Sequence, residues 1–285
     1  MPIPFIITAG SFYMHIFVID RDQLSNQLIS SRLIGQGHHV TLDTQKQNAL
    51  DRLKNDKPDC IILDPNPLAD ARPIIVQIWK NTTTPHKPYI LLYSKDDQTQ
   101  GPSAQAPAIA MGANDRLLKP IDIQMLDEKI GNALRLQNLS TTFTAPHDLR
   151  SEKGILGKNA FHQLYLSSLD RAFRYNEHSF ITLITVHFKN NPSSTDSENA
   201  MNALIEKLAF MRRQSDVIGH IAPLQFAILM QRPLYLSEPI DAINRFAENL
   251  AEYREALSTQ NAHPAFSLEL IELPSGQSHQ RHTLS

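Results

Sequence analysis

Cys60-Ile61-Ile62-Leu63-Asp64-Pro65 is the stretch that decides the fold of the N-terminal half of the chain. A run of four apolar residues is typical of a strand that is buried on both faces, as the strands of parallel sheets are. Asp64 follows this run directly, so its carboxylate stands at the carboxyl end of the strand, where ligand sites form in open α/β sheets. The stretch predicts an inner strand of a parallel sheet with a functional acid at its end.

The residues on either side of this strand repeat the same pattern. Between residues 14 and 137, short apolar runs alternate with amphipathic segments, which is typical of a parallel sheet covered by helices. We predict strands at residues 16–19, 40–42, 60–63, 89–93 and 116–118. The N-terminal half is therefore predicted to be an α/β domain with a doubly wound, five-stranded parallel sheet.

A chain of 285 residues is long enough for two domains, and the second half has a different pattern. Its helices alternate with strands, and two strands at residues 217–221 and 226–230 are so close in sequence that they predict a central antiparallel hairpin in an α+β domain. The predicted division is an N-terminal extension at 1–13, a first domain at 14–137, a linker at 138–153, a second domain at 154–273 and a flexible tail at 274–285.

Charge and composition exclude several classes of function. With 27 basic and 29 acidic residues the chain has no overall positive field, which argues against binding to nucleic acid. The single cysteine, Cys60, lies in an apolar run and indicates neither a disulfide nor a cysteine-based metal site. No segment reaches the roughly 18 uninterrupted apolar residues of a membrane span, so we expect a cytoplasmic protein.

Three motifs in the first half carry a resemblance to a known family. They are Val18-Ile19-Asp20-Arg21-Asp22, Ile62-Leu63-Asp64-Pro65 and Gly112-Ala113-Asn114-Asp115-Arg116-Leu117-Leu118-Lys119-Pro120. In this order and spacing they resemble the response-regulator receiver domain over about residues 14–137. The resemblance implies a CheY- or flavodoxin-like fold and a role in a two-component system or phosphorelay.

The resemblance also implies roles for individual residues. Asp64 corresponds to the aspartate that accepts a phosphoryl group, and Lys119 to the lysine that contacts the phosphate. Asp20 and Asp64, with Asp22 as a further acid, correspond to a Mg²⁺ site. These roles are chemically consistent, because Mg²⁺ and an ammonium group both neutralise the charge of a transferring phosphoryl group.

The chain departs from the receiver pattern at two positions. Arg21 replaces the second metal-binding acid, and Tyr93 stands where a smaller hydroxyl residue is expected, with Ser94 one position away. An alternative interpretation is that Asp20, Arg21, Asp64 and Lys119 form a structural ion-pair cluster without phosphorylation. Residues 98–107 are also longer and less helical than the corresponding receiver segment, which favours a rebuilt partner interface.

The second half resembles the GGDEF domain of diguanylate cyclases over about residues 154–273. The resemblance rests on residues 154–161 and on Ser215-Asp216-Val217-Ile218-Gly219-His220-Ile221 with the strand at 226–230. The positions that it implies for metal-binding acids, phosphate-binding glycines and guanine-reading side chains hold other residues: Thr185, Leu224 or Gln225, then Ala222 and Pro223, then Gly157 and Leu166. We therefore predict a degenerate GGDEF domain without cyclase activity.

One feature of the GGDEF family is retained. Arg213-Gln214-Ser215-Asp216 resembles the RxxD site that binds cyclic di-GMP, and a guanidinium with a carboxylate suits a phosphate and a guanine edge. Either Asn249 or Arg245 corresponds to the further arginine of that site. In the alternative interpretation, Arg213 only ends a helix and Asp216 only begins a strand.

These observations predict a non-catalytic bacterial signalling protein that acts through protein–protein interaction. The two alternatives are a cyclic di-GMP receptor that uses Arg213 and Asp216, and a phosphorylation-controlled response regulator that uses Asp64. Homodimerisation through the helix at residues 244–257 or the last helix of the first domain is a further expectation, and ordinary core packing is the alternative for both helices. Control of motility, surface attachment or biofilm formation is the process that the two resemblances imply.

Overall fold

A computed structural model of the chain describes residues 13–82, 87–95, 106–146, 149–188, 192–213, 215–257 and 263–284. The chain divides into two compact units, residues 1–137 and 138–285, and each is described by itself. Most of the predicted N-terminal extension and of the altered segment at 98–107 lies outside the described residues.

The N-terminal unit alternates strands and helices along its whole length. Its elements are β1 (His15–Ile19), α1 (Gln23–Gly35), β2 (His39–Asp43), α2 (Lys46–Arg52), β3 (Cys60–Leu63), α3 (Ala71–Asn81), β4 (Tyr89–Lys95), α4 (Ala106–Ala110), β5 (Asp115–Lys119) and α5 (Ile123–Thr144). The five strands form one parallel sheet in the order β2-β1-β3-β4-β5. The predicted doubly wound five-stranded parallel sheet is confirmed.

The apolar runs form these strands because every strand in the middle of the sheet is covered on both faces. All four residues of β3 are buried. Phe17, Ile61 and Ile90 are register partners on β1, β3 and β4, and all three lie in one hydrophobic cluster. This cluster fixes the register of the sheet, and the register decides which side chains meet at its carboxyl edge.

The C-terminal unit is an α+β domain. Its elements are β6 (Leu156–Gly157), α6 (Lys158–Tyr175), β7 (Ser179–Phe188), α7 (Ser194–Met211), β8 (Val217–Ala222), β9 (Gln225–Gln231), α8 (Ser237–Leu257), β10 (Pro264–Leu273) and β11 (Ser278–Leu284). The six strands form one sheet in the order β11-β10-β7-β9-β8-β6, and β8 and β9 form the predicted antiparallel hairpin. Side chains of α7 and α8, among them Leu204, Leu208 and Phe246, join the core of this sheet.

Two predicted boundaries are wrong. The predicted flexible tail contains a strand, because residues 278–284 form β11, which pairs with β10 in antiparallel register, for example His282 with Leu268. The polar linker at 138–153 begins with the end of α5, which continues to Thr144 because Leu139 and Phe143, four residues apart, are both buried. In the described part of the chain, no helix combines the length and the apolar character needed to cross a membrane.

Candidate functional site

The register of the parallel sheet brings Asp20 and Asp64 together. Ile19 and Leu63 are register partners at the ends of β1 and β3, and the backbone N–H of Asp64 donates to the Ile19 carbonyl at 2.8 Å. Asp20 and Asp64 are the next residues on these strands, and Lys119 ends β5 at the same edge. The sequence-predicted residues therefore meet at the carboxyl ends of the parallel strands, as the fold requires.

Lys119 connects the two acids. Its Nζ lies 2.7 Å from Asp64 Oδ2 and 2.9 Å from Asp20 Oδ2. The Asp20 side chain is 1% exposed, and that of Asp64 is 9% exposed. A single ammonium thus serves two buried carboxylates.

The protonation states of this group follow from its burial. Burial raises the pKa of the Asp20 carboxyl, and the neighbouring Asp64 raises it further, although the Asp22 N–H and Lys119 oppose the shift. Burial disfavours the ammonium of Lys119, but its hydrogen bonds to Asp64 and Asp20 outweigh this and raise its pKa. Lys119 therefore stays charged at neutral pH, which suits a group that contacts phosphate.

Asp22 does not join the carboxylate pair. It is the N-cap of α1, where Oδ1 accepts the Leu24 N–H at 3.0 Å and Oδ2 accepts the Ser25 hydroxyl at 2.8 Å. The Ser25 hydroxyl and the backbone N–H of Leu24 lower the pKa of Asp22. Because both of its oxygens point into the first turn of the helix, Asp22 does not form one cluster with Asp20 and Asp64 in this structure, and metal binding by the three acids stays a prediction.

Asp20 and Asp64 remain as oxygen ligands that suit Mg²⁺, which usually takes one or two protein carboxylates and completes its shell with water and phosphate. Within the described residues, no group of three or more His, Cys, Asp or Glu side chains is placed to hold a metal ion. Arg21 is exposed and forms no ion pair among these residues, so it does not belong to the buried cluster either.

A serine in place of Asp22 separates capping from metal binding. Serine is a good N-cap but a poor Mg²⁺ ligand, so we expect Asp22→Ser to keep both the stability of α1 and any phosphoryl acceptance by Asp64. Asp22→Ala is the matched variant and is expected to lower the melting temperature, because the first turn loses its cap. Circular dichroism and phosphorylation assays measure the two effects. Loss of phosphorylation in Asp22→Ser would show that Asp22 binds metal.

Tyr93 occupies the position of the small hydroxyl residue in the receiver pattern. Its buried ring lies beneath Lys119, with Nζ 4.5 Å from the ring centroid, and its hydroxyl is 3.3 Å from Ser25 Oγ. Burial raises the pKa of the Tyr93 hydroxyl. Ser94 is turned away, because its hydroxyl accepts a hydrogen bond from Arg116 Nε at 3.0 Å. Tyr93 therefore supports the Lys119 side chain.

An open groove of about 650 Å³ begins beside this crevice. It is lined by Asp22, Leu24, Ser25, Leu28, Tyr93, Lys95, Lys119, Pro120 and Ile121. Leu24 and Leu28 are 72% and 54% exposed. The structure buries Ile29 and Leu33 of α1 and leaves Leu24 and Leu28 on its exposed face. The spacing of the pairs 24/28 and 29/33 was the available signal for two faces of this helix.

In the C-terminal unit, the two positions where the resemblance implies metal-binding acids are neighbours on paired strands, and neither holds an acidic residue. Thr185 on β7 is the register partner of Gln225 on β9, and the carbonyl of Leu224 accepts the Val186 N–H at 2.8 Å. Position 157 has no space for a side chain, because a Cβ there would collide with the Leu149 carbonyl oxygen. None of these positions holds a carboxylate that could bind a metal ion.

One residue of the predicted nucleotide-binding pair, Asp216, is held by a third residue, Arg245. Asp216 is buried, and its Oδ2 accepts hydrogen bonds from Arg245 Nη2 at 2.7 Å and from the Arg213 backbone N–H at 2.9 Å. The Arg213 side chain is exposed, and Gln214 lies outside the described residues. Of the two residues predicted as a further arginine position, Arg245 contacts Asp216, whereas Asn249 donates to the Arg245 carbonyl.

Comparison with known proteins gives matches among solved structures only. No model of a known protein family matches the chain, and no curated protein matches it. A two-component response regulator from Clostridium difficile has 23% identity and a TM-score of 0.37, and covers 44% of this chain and 98% of its own.

A chemotaxis response regulator from Vibrio cholerae has 20% identity and a TM-score of 0.36, and covers 42% of this chain and 98% of its own. The receiver domain of a response regulator from Saccharomyces cerevisiae, crystallised with a histidine phosphotransfer protein, has 18% identity and a TM-score of 0.37, and covers 44% and 91%. The matches cover the N-terminal part of the chain, and response-regulator receiver domains are what this part is similar to.

Proposed function

We propose that this chain is a non-catalytic regulatory protein that acts by binding another protein, and that Asp64 receives the phosphoryl group that controls this binding. The contact between Lys119 Nζ and Asp64 Oδ2, at 2.7 Å, carries the proposal. It places a permanent cation beside a carboxylate at the edge of the sheet where ligands bind.

The residues of the crevice suit phosphoryl transfer from an acyl phosphate or a phosphohistidine. An oxygen of Asp64 forms the new bond to phosphorus while the bond from phosphorus to the donor breaks, and the donor leaves with its electron pair. Lys119 neutralises charge on the phosphoryl oxygens. A Mg²⁺ ion held by Asp20 and Asp64 would supply further charge neutralisation. The Asn66 N–H, which donates to Asp64 Oδ1 at 3.0 Å, keeps the carboxylate in place.

The groove beside the crevice supports the protein-binding part of the proposal. Two exposed leucines, Leu24 and Leu28, stand next to Lys119, so a partner that covers them also lies against the phosphoryl group. Exposed apolar side chains grouped around a polar centre are typical of protein interaction sites. A charge change at Asp64 would reach such a partner through the Lys119 side chain.

In this proposal the C-terminal unit is a degenerate GGDEF domain and not an enzyme. The pair Thr185 and Gln225 supports this, because neither residue can replace a metal-binding carboxylate. Cyclic di-GMP binding by Arg213 and Asp216 stays a prediction. Asp216 already has a buried ion pair with Arg245, so a nucleotide would compete with this contact for the carboxylate.

The test is to incubate the full chain with acetyl phosphate and Mg²⁺ and to measure its intact mass. We expect one phosphoryl adduct in the unchanged protein and none in Asp64→Asn. Asp70→Asn is the matched control, because Asp70 is a carboxylate of the same unit with an exposed side chain, and it should keep the adduct. An unmodified mass under these conditions, or an adduct that survives in Asp64→Asn, would exclude Asp64 as the acceptor.

A further inference from the structure

Two histidines converge on one carboxylate in the C-terminal unit. Glu272 lies on β10, His178 directly precedes β7, and His279 lies on β11. His178 Nδ1 is 3.0 Å from Glu272 Oε1, and His279 Nε2 is 2.9 Å from Glu272 Oε2. Each oxygen of the carboxylate therefore has one imidazole partner, and the partners come from different segments of the chain.

The surroundings make this group dependent on the charge of its histidines. The Glu272 side chain is 12% exposed, and the ring of Phe180 packs edge-on against His279 with 5.6 Å between ring centroids. The nearby charged residues are engaged elsewhere: Arg281 pairs with Glu269, and Arg171 and Arg232 pair with Glu177. Within the described part of the chain, the ion pairs of Glu272 are those with its two histidines.

We propose that His178 and Glu272 form a pH-dependent clamp that fastens the segment before β7 to β10, while His279 of β11 contacts the second carboxylate oxygen. His178 lies in the segment between α6 and β7, and its backbone carbonyl accepts the Arg232 N–H at 3.0 Å. When His178 is protonated, its imidazolium forms an ion pair with the largely buried carboxylate of Glu272. When His178 loses its proton, this ion pair is gone and at most a neutral hydrogen bond remains.

The direction of the pH dependence follows from the three groups. Burial opposes ionisation of Glu272, but the hydrogen bonds from His178 and His279 lower its pKa to about 2. The same hydrogen bond raises the pKa of His178 above its ordinary value of 6.5. The contribution of His178 to the stability of the clamp is complete below pH 6.5 and is lost as the pH rises through its raised pKa. That of Glu272 is complete above its ordinary value of 4.5 and is lost only near pH 2. The clamp is therefore strongest between these two ordinary values and opens on the alkaline side.

The first test follows the imidazole resonances of the full chain by NMR during a pH titration. In the unchanged protein we expect His178 to titrate above its ordinary value, and in Glu272→Gln we expect its midpoint to fall to that value. Glu269→Gln is the matched control, because Glu269 lies on the same strand but pairs with Arg281. An ordinary midpoint for His178 in the unchanged protein would overturn the proposal.

The second test measures whether the contact holds the segment at His178. We expect the protection of the Arg232 amide, which donates to the His178 carbonyl, against hydrogen exchange, corrected for the intrinsic rate, to fall several-fold as the pH rises through the titration of His178. His178→Gln should abolish this dependence while keeping the buried Glu272 and its partner His279. If Glu272→Gln does not fold, His178→Gln still tests the proposed clamp. Protection that is independent of pH in the unchanged protein would contradict the clamp.

Discussion

Lys129→Met is expected to lower the free energy of unfolding of the N-terminal unit by about 3–5 kcal/mol, the usual cost of removing one member of a buried ion pair. Lys129 Nζ lies 2.8 Å from Asp115 Oδ2, with 5% and 0% of the two side chains exposed. Asp115 also affects the buried hydroxyl of Tyr89, whose pKa is raised by burial and then by this carboxylate. Removal of the ammonium takes one positive charge away from the buried carboxylate of Asp115.

Fluorescence-monitored urea unfolding measures this effect, because Trp79 on α3 is the single tryptophan of the chain and reports on the N-terminal unit. The double variant Asp115→Asn with Lys129→Met removes both charges and should recover a large part of the loss. A loss below about 1 kcal/mol in Lys129→Met, the size of one ordinary hydrogen bond, would mean that the pair is not buried as described.

Gly157→Ala is expected to destabilise the C-terminal unit by about 3 kcal/mol, at the upper end of the cost of overpacking. The backbone of Gly157, with φ −69°, suits any residue, so the cause is purely steric. A Cβ here would collide with the Leu149 carbonyl and lie 2.9 Å from the backbone of both Arg150 and Ser151. Backbone atoms cannot move aside as the end of a flexible side chain can.

Circular dichroism should show this loss as an earlier unfolding transition, while the Trp79 fluorescence transition of the other unit stays in place. Gly131→Ala is the control, because a Cβ at this position of α5 meets no atom within 4 Å. It should raise stability by up to about 1 kcal/mol through the better helix propensity of alanine. An unchanged C-terminal transition in Gly157→Ala would show that residues 149–151 do not occupy the space beside it.

The parallel sheet could be predicted because its inner strands are short, continuous apolar runs, as in Cys60–Leu63. β11 could not be predicted in the same way, since the edge strand Ser278–Leu284 consists mostly of polar residues and follows no apolar alternation. The end of α5 was hidden for a similar reason: Leu139 and Phe143 are its buried pair in a stretch rich in serine and threonine.

The candidate site also has a part that the sequence predicts and a part that it does not. Asp64 and Lys119 were predictable, because topology alone brings the carboxyl ends of parallel strands together. The direction of a side chain was not predictable, and Asp22 turned out to cap α1 although it lies two residues from Asp20. The sequence leaves open whether Arg245 or Asn249 corresponds to the further arginine of the RxxD resemblance, and the contact of Arg245 with Asp216 could not be predicted, because 29 positions separate the two residues.

The packing at Gly157 also limits how the chain can change over evolutionary time. A side chain at this position is accommodated without a loss of stability only if the backbone at residues 149–151 shifts, and a single codon change at 157 does not provide this shift. The order of possible mutations is therefore constrained: a change that shifts residues 149–151 has to precede a substitution at position 157 that keeps this stability.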